Sequence, residues 1–210
     1  MIDLHTHTTF SDGELIPSEL VRRAEVLGYT AIGITDHADY TNIEHIICCV
    51  SKAKYLEGIL DIRILPGVEL THVPPQKIAQ LADLARNLGA EIVVVHGESP
   101  VEPVRPGTNR AALEAGVAIL AHPGFITVEE AEMAKDNDIC LEITSSYGHN
   151  ITNAHVVKIA IQAGAKMVVD TDAHAPEDLI DSERAIQIAF GAGLTLEEAR
   201  EIVMHHAIIR

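Results

Sequence analysis

Seven short, nearly unbroken apolar runs alternate with stretches of helical period along this chain, and that alternation limits the fold more than any other feature. The runs are 2–8, 31–37, 63–71, 91–97, 118–123, 140–144 and 166–174, most of them rich in Ile, Val and Leu. Parallel strands covered on both faces read this way, because neither face needs polar side chains. Helical stretches fall at 17–28, 41–60, 75–89, 108–116, 127–137, 150–164, 183–191 and 195–208. Pro17 or Ser18 opens the first and Gly28 follows it. Thr127 with Glu130, and Thr195 with Glu198, have the spacing of capping boxes, and Gly89, Gly116 and Gly164 stand where helices end in a left-handed residue. A repeated strand–helix order gives a parallel sheet with helices outside it.

The strand ends decide whether that sheet is open or closed. His5, His7, Asp12, His37, Glu69, His96, His122, Asp172 and His174 lie at or just past the C-terminal ends of six of the seven runs. An open, doubly wound sheet collects its functional residues from two or three strands at one switch point. Contributions from six require the ends to converge, as they do in a barrel. The expectation is therefore an α/β chain forming one domain over residues 1–210, a distorted seven-stranded (β/α)7 TIM-like barrel. With 210 residues and 47% hydrophobic content the chain can bury one sizeable core, and no linker or composition shift marks a second.

Imidazole nitrogens and carboxylate oxygens suit Zn, Mn and Fe. At roughly three to four protein ligands per ion, the nine residues fill about three sites. His5 and His7 form His-Thr-His, which strand period 2 places on one face; Asp172 and His174 repeat the arrangement in Asp-Ala-His. A glutamate on an interior strand needs a partner, and bridging two ions supplies one to Glu69. His37, His96 and His122 each follow a strongly apolar run. Asp36 reads either as a carboxylate orienting a ligand histidine or as a loop carboxylate. Glu142 reads as an acid behind a ligand, and Asp170 as a polar core residue. His45, His72, His155, His205 and His206 lack the strand-end context and read as surface or packing residues, His72 least securely because it sits just past Glu69.

This constellation resembles the PHP (polymerase and histidinol phosphatase) family, and within it the small stand-alone branch often labelled histidinol-phosphatase-like. The resemblance runs from His-Thr-His at 5–7 to Asp-Ala-His at 172–174. It implies three divalent ions, Zn, Mn or Fe. One would take His5, His7, Glu69 and Asp172, a second Glu69, His96 and His122, and a third Asp12, His37 and His174. Some members have His where this chain has Asp12, and the oxygen ligand favours Mn or Fe there. Glu69, Asp172 and His174 are the candidate catalytic residues. The implied activity is hydrolysis of a small, histidinol-phosphate-like monoester by a metal-activated hydroxide. A phosphodiesterase or exonuclease acting on nucleotides is the alternative, and a non-catalytic metal-binding subunit a further one.

Charge separates these readings. The formal net charge is −16, without a basic run, tryptophan is absent and aromatics are 3%. Neither a nucleic-acid surface nor an anionic membrane suits such a chain. Three divalent ions less three carboxylates leave the filled site at about +3, enough to draw in a small anion. The expected partner is a small phosphorylated metabolite, not polymeric nucleic acid. Arg105 and Arg110, in the long segment after the fourth run, and His149, after the sixth, are candidate substrate contacts. Cys48, Cys49 and Cys140 read as buried free thiols in a reducing cytosol. No signal-like or membrane-spanning run is seen, which gives a cytoplasmic expectation.

Overall fold

The computed structural model describes residues 1–204 and shows a mostly parallel sheet nearly closed into a barrel. Its strands are β1 (Ile2–Asp3), β2 (Ala31–Ile34), β3 (His37–Ala38), β4 (Arg63–Leu70), β5 (Ile92–His96), β6 (Ile119–Ala121), β7 (Cys140–Thr144) and β8 (Met167–Asp170). The order is β1-β2-β4-β5-β6-β7-β8, with β3 paired to the distal half of β4. The expected run 31–37 is thus two strands. The break falls at Thr35 and Asp36, where Glu69 N–H donates to both Thr35 O and Asp36 O. Several other expected strands are longer than the observed ladders, as at 2–8, where β1 spans only Ile2–Asp3, and at 166–174, where β8 ends at Asp170.

Side-chain alternation separates two buried clusters. Leu65, Ile92, Val94, Ile119, Cys140 and Val168 belong to a small cluster made only of residues on or beside strands, the barrel interior. The larger cluster joins the outer faces of the strands to the helices. Leu65 and Glu69 share parity, as do Ile92, Val94 and His96, and Val168, Asp170 and Asp172. On β4, β5 and β8 the interior face therefore passes from apolar to ligand-type residues towards the C-terminal end, whereas His5 and His122 fall at the opposite parity to the interior residues Leu4 and Ala121.

Helices α1 (Pro17–Val26), α2 (Ile43–Val50), α3 (Pro75–Asn87), α4 (Thr108–Glu114), α5 (Val128–Asp136), α6 (Asn153–Ala163), α7 (Ser182–Gly191) and α8 (Leu196–Met204) cover the outside. In α3 the residues Ile78, Leu81, Ala82 and Ala85 repeat at helical spacing and are fully buried. Truncating Leu81 to Ala there costs about 2–5 kcal/mol. Both expected capping boxes form: Thr127 accepts from Glu130 N and Thr195 from Glu198 N. The stretch 41–60 is not one helix, since α2 gives way to a 3-10 segment, Ser51–Leu56, before Gly58 turns the chain at φ 81°. The end of the expected last helix, with His205 and His206, lies outside the described residues. Only Cys140 is a buried thiol; Cys48 is exposed and Cys49 half-buried, because the apolar face of α2 is Ile43, Ile46, Ile47 and Val50. Among the described residues no helix is long and apolar enough to cross a membrane.

Carboxylates close the barrel where backbone pairing is sparse. Between β1 and β8 there is a single bridge, Thr6 to Ala173. His7 N–H donates to Ala173 O and Asp172 N–H to His5 O, both at 2.9 Å. Leu4 N–H donates to Asp170 Oδ1 at 2.7 Å, and Thr171 donates its N–H and hydroxyl to Asp3 at 3.2 and 2.6 Å. Asp170 is thus the polar core residue expected of it. Burial and the neighbouring Asp170 hold the Asp3 carboxyl well above the usual carboxylate range.

Candidate metal centre

All nine expected ligands converge at the C-terminal mouth of the barrel. The first strand and its extension bring His5 and His7 in fully buried. His5 Nε2 stands 3.4 Å from Glu69 Oε1 and 3.5 Å from Asp172 Oδ1, and His7 Nε2 stands 3.1 Å from Asp172 Oδ1. From β5 and β6, His96 Nδ1 and His122 Nε2 approach Glu69 Oε1 at 3.3 and 3.7 Å. On the outer side, Asp12 Oδ1 is 3.5 Å from His37 Nε2 and 3.3 Å from His174 Nε2. The His7 ring bridges the two halves, with centroids 4.1 Å from both His37 and His174. Asp12 reaches this position because the loop folds back on the strand: a Cβ at Gly13 would lie 2.6 Å from His7 O. His122 and Asp172 hold positive φ, 25° and 54°, a strain that non-glycine residues tolerate where the surroundings fix them for function.

The side-chain groupings overlap the expected partition only in part, and one of them joins His122, His149 and Asp172. Ligand atoms of His5, His7 and Asp172 lie within reach of one ion, as do those of His5, Glu69 and His122, and of His7, Asp12, His37 and His174. His96 groups instead with His72 and Glu102, although its other nitrogen faces Glu69. His5 Nε2, both ring nitrogens of His7, His96 and His122, Glu69 Oε1 and Asp172 Oδ1 are buried with no hydrogen-bond partner among the described residues. Unpartnered buried polar atoms are costly and rare. Many of them lie 3–4 Å from one another, and such a donor set fits divalent cations.

Charge inside the cluster is tightly coupled. Burial alone would raise the Glu69 and Asp172 carboxyls, but His5 and the other facing imidazoles outweigh it and hold both well below the usual range. Burial would lower His37 and His96; Glu69, aided by Asp12 for the first and Glu102 for the second, lifts them to about 10 and about 9. Burial pushes His7 down to about 4 and lowers His122 as well. Neutral and cationic imidazoles thus share one pocket.

The surrounding residues sort less evenly. Glu142 does stand behind a candidate ligand: its Oε1 is 2.6 Å from His5 Nδ1, and its Oε2 accepts from His122 N–H. Asp36 orients no histidine. It accepts from Thr8 N–H and hydroxyl and from Ser11 N–H and hydroxyl, and so pins the loop that carries Asp12. His149 is buried beside the centre, stacked 4.2 Å from His122, with Nδ1 2.7 Å from Ser99 Oγ. Arg110 departs from its expected role: on α4 its guanidinium is engaged by Glu114 and Glu129 at the surface. Arg105 is exposed in the loop before α4, where its carbonyl accepts from Thr108. Glu102 was not anticipated. It sits 3.2 Å from His96 Nε2 and 3.1 Å from His72 Nε2, so His72 is no bystander either. A loop position without periodicity hides such a residue; the only cue is an acid in the long segment following His96.

The chain is 55% identical over 207 residues to an uncharacterized protein of Methanocaldococcus jannaschii, covering 97% of this chain and 95% of that one. Its fold is similar to that of a chain in archaeal ribonuclease P with mature tRNA (TM-score 0.72, 14% identity, 99% and 90% of the two chains). It is also similar to histidinol phosphate phosphatase of Lactococcus lactis, solved with zinc, L-histidinol and phosphate (TM-score 0.63, 16% identity, 92% and 94% covered). The model of the PHP domain matches residues 3–201, and the chain belongs to the PHP domain family.

Proposed function

We propose that this protein is a metal-dependent phosphoesterase that hydrolyses a small, histidinol-phosphate-like monoester, using up to three divalent ions (Zn, Mn or Fe). One observation carries the reading: buried imidazole nitrogens and carboxylate oxygens at the strand ends have no hydrogen-bond partner among the described residues and lie close enough together to share ions. When bound, such ions supply a nucleophile from water at neutral pH and polarise a phosphoryl oxygen. Glu69 faces His5, His96 and His122 through one oxygen and His37 through the other, so it ties the inner and outer halves of the centre together. Asp172 faces His5 and His7, and His174 faces Asp12. His149, its Nδ1 fixed by Ser99, has Nε2 3.6 Å from Glu102 Oε1, and we assign it as a substrate contact at the edge of the centre.

The mouth fits a small anion better than a strand. A cleft of about 420 Å³ opens beside Asp12 and His37 and is walled by Asp39, Thr41, Asn42, Thr71, His72 and Glu102, without lysine or arginine. A polymer would have to lay further phosphates on this acidic rim. The histidinol phosphate phosphatase likeness agrees with a monoester. One observation favours nucleotides instead: Phe125 and Tyr147, on the loops after β6 and β7, are 69% and 98% exposed, and such rings can stack on a base.

Metal-stripped protein reconstituted with Mn and assayed on p-nitrophenyl phosphate, bis-p-nitrophenyl phosphate and single-stranded DNA separates the readings. The monoester should be turned over faster than DNA by orders of magnitude. Preference for the diester, or processive DNA degradation, moves the protein to the nucleases. Full metal content without turnover of any of the three indicates a binding subunit.

A further inference from the structure

Several imidazoles around the centre have one ring nitrogen tied by a neighbouring group. His5 Nδ1 is 2.6 Å from Glu142 Oε1, His149 Nδ1 2.7 Å from Ser99 Oγ, and His174 Nδ1 2.8 Å from the Asp172 carbonyl. Such ties fix the tautomer and ring orientation of a ligand and raise its basicity. For His96 the inward nitrogen is Nδ1, 3.3 Å from Glu69 Oε1, and the outward one is Nε2, 3.2 Å from Glu102 Oε2. Glu102 differs from Glu142 in two respects. It comes from the loop between β5 and α4, not from a strand, and its side chain is 37% exposed where that of Glu142 is fully buried. The same Oε2 atom is 3.1 Å from Nε2 of His72, which holds a left-handed backbone (φ 54°) as His122 and Asp172 do.

We propose that Glu102 is the positioning residue for His96, and that it sets the affinity of the ion shared by Glu69, His96 and His122, with His72 bracing the carboxylate. The inference rests on the metal centre proposed above. It also orders the ions. This ion has three expected protein ligands against four for the one at His5, His7, Glu69 and Asp172. Its orienting acid meets solvent, which competes for the tie. Ion-pair distance is reached, but the contact is bent away from a straight hydrogen bond, so metal loading has room to tighten it. The ion beside His96 is therefore more weakly held than the ion beside His5.

Calorimetric titration of the metal-free protein with Mn(II) tests this, comparing wild type with E102A, E102Q and H72A. Wild type should bind in steps of different affinity. E102A should weaken a weak step by about 10- to 100-fold and leave the tightest step in place. E102Q should do so less, because its amide oxygen still accepts from Nε2–H, and H72A least. The melting temperature of metal-free E102Q should match that of wild type, which separates positioning from a merely structural role. Titrations of E102A and E102Q superimposable on wild type overturn the role of Glu102, as does equal weakening of every step. If E102A does not fold, E102Q alone decides. Wild type that takes up no Mn(II) sinks the metal centre itself, a distinct result.

Discussion

Asp36 and Glu69 are both fully buried acids, yet their surroundings could hardly differ more. Asp36 accepts from two backbone N–H groups and two hydroxyls, so its lone pairs are spent on holding the loop from Thr8 to Ser11. Asp3 at the barrel seam is similar, accepting from His5 N–H and from Thr171 N–H and hydroxyl. Glu69 faces five imidazoles, and its Oε1 has no hydrogen-bond partner among the described residues. Burial alone therefore does not mark a functional acid. Backbone donors around a carboxylate mark a structural tie; facing imidazoles with spare lone pairs mark a place for cations.

The largest effect expected from this contrast is on turnover. Glu69→Gln should lower phosphatase kcat by about 100-fold or more, since electrostatic groups of this kind are commonly worth that much. Its melting temperature should change little. A variant with full metal content and near-normal kcat would show that Glu69 does not tie the centre together. Asp36→Ala should show the opposite profile: a loss of about 2–4 kcal/mol in denaturant unfolding, from the N–H groups left unpaired. If D36A unfolds like wild type, the division between the two kinds of acid is wrong.

A smaller effect concerns protons. His37 and His96, raised to about 10 and about 9, carry protons at pH 7.5 in the metal-free protein, and ligation needs them neutral. His5 and His174 are shifted upward as well, so metal uptake at that pH should release at least about two protons, read as a dependence of the calorimetric heat on buffer ionisation enthalpy. The same shifts give metal-free stability a sign. Groups raised above their unfolded value of about 6.5 contribute fully below that pH, and the contribution is lost as pH rises towards 9–10. His7, lowered to about 4, acts the other way and costs stability as pH falls from about 6.5 towards 4. Stability of the metal-free protein that rises steadily from pH 7 to 9 would contradict the charge pattern at Glu69.

The smallest effects separate the two arginines. Arg110→Ala should leave KM within about twofold, because its guanidinium pairs with Glu114 and Glu129 and not with the mouth. Arg105→Ala should raise KM more than it lowers kcat, as a substrate contact does. Equal, negligible effects from both would remove arginine from substrate binding.

The centre was legible where periodicity governs. Strand period and apolar runs locate His5, His7, Glu69, His96 and His122 without tertiary information, and Asp172 with His174 follows the same rule. Loops were not legible. Glu102 and Ser99 reach the site along a segment without repeat, and Asp36 looks the same in sequence whether it orients a ligand or pins a loop. Arg110 could have been read better, since Glu114 lies four residues on along the same helix, the spacing of a helical ion pair. Strand lengths were overdrawn because the alternation of inward-facing residues continues past the last ladder bond, as at Asp170, Asp172 and His174.

Metal stoichiometry tests the central claim most directly. Protein purified without chelator and reconstituted with Mn, then measured by elemental analysis, should carry between about two and three ions per chain, and wild type should hold more than Glu69→Gln. A value near zero for correctly folded wild type would contradict the account, because the buried imidazoles and carboxylates at the barrel mouth would then face one another for some other reason.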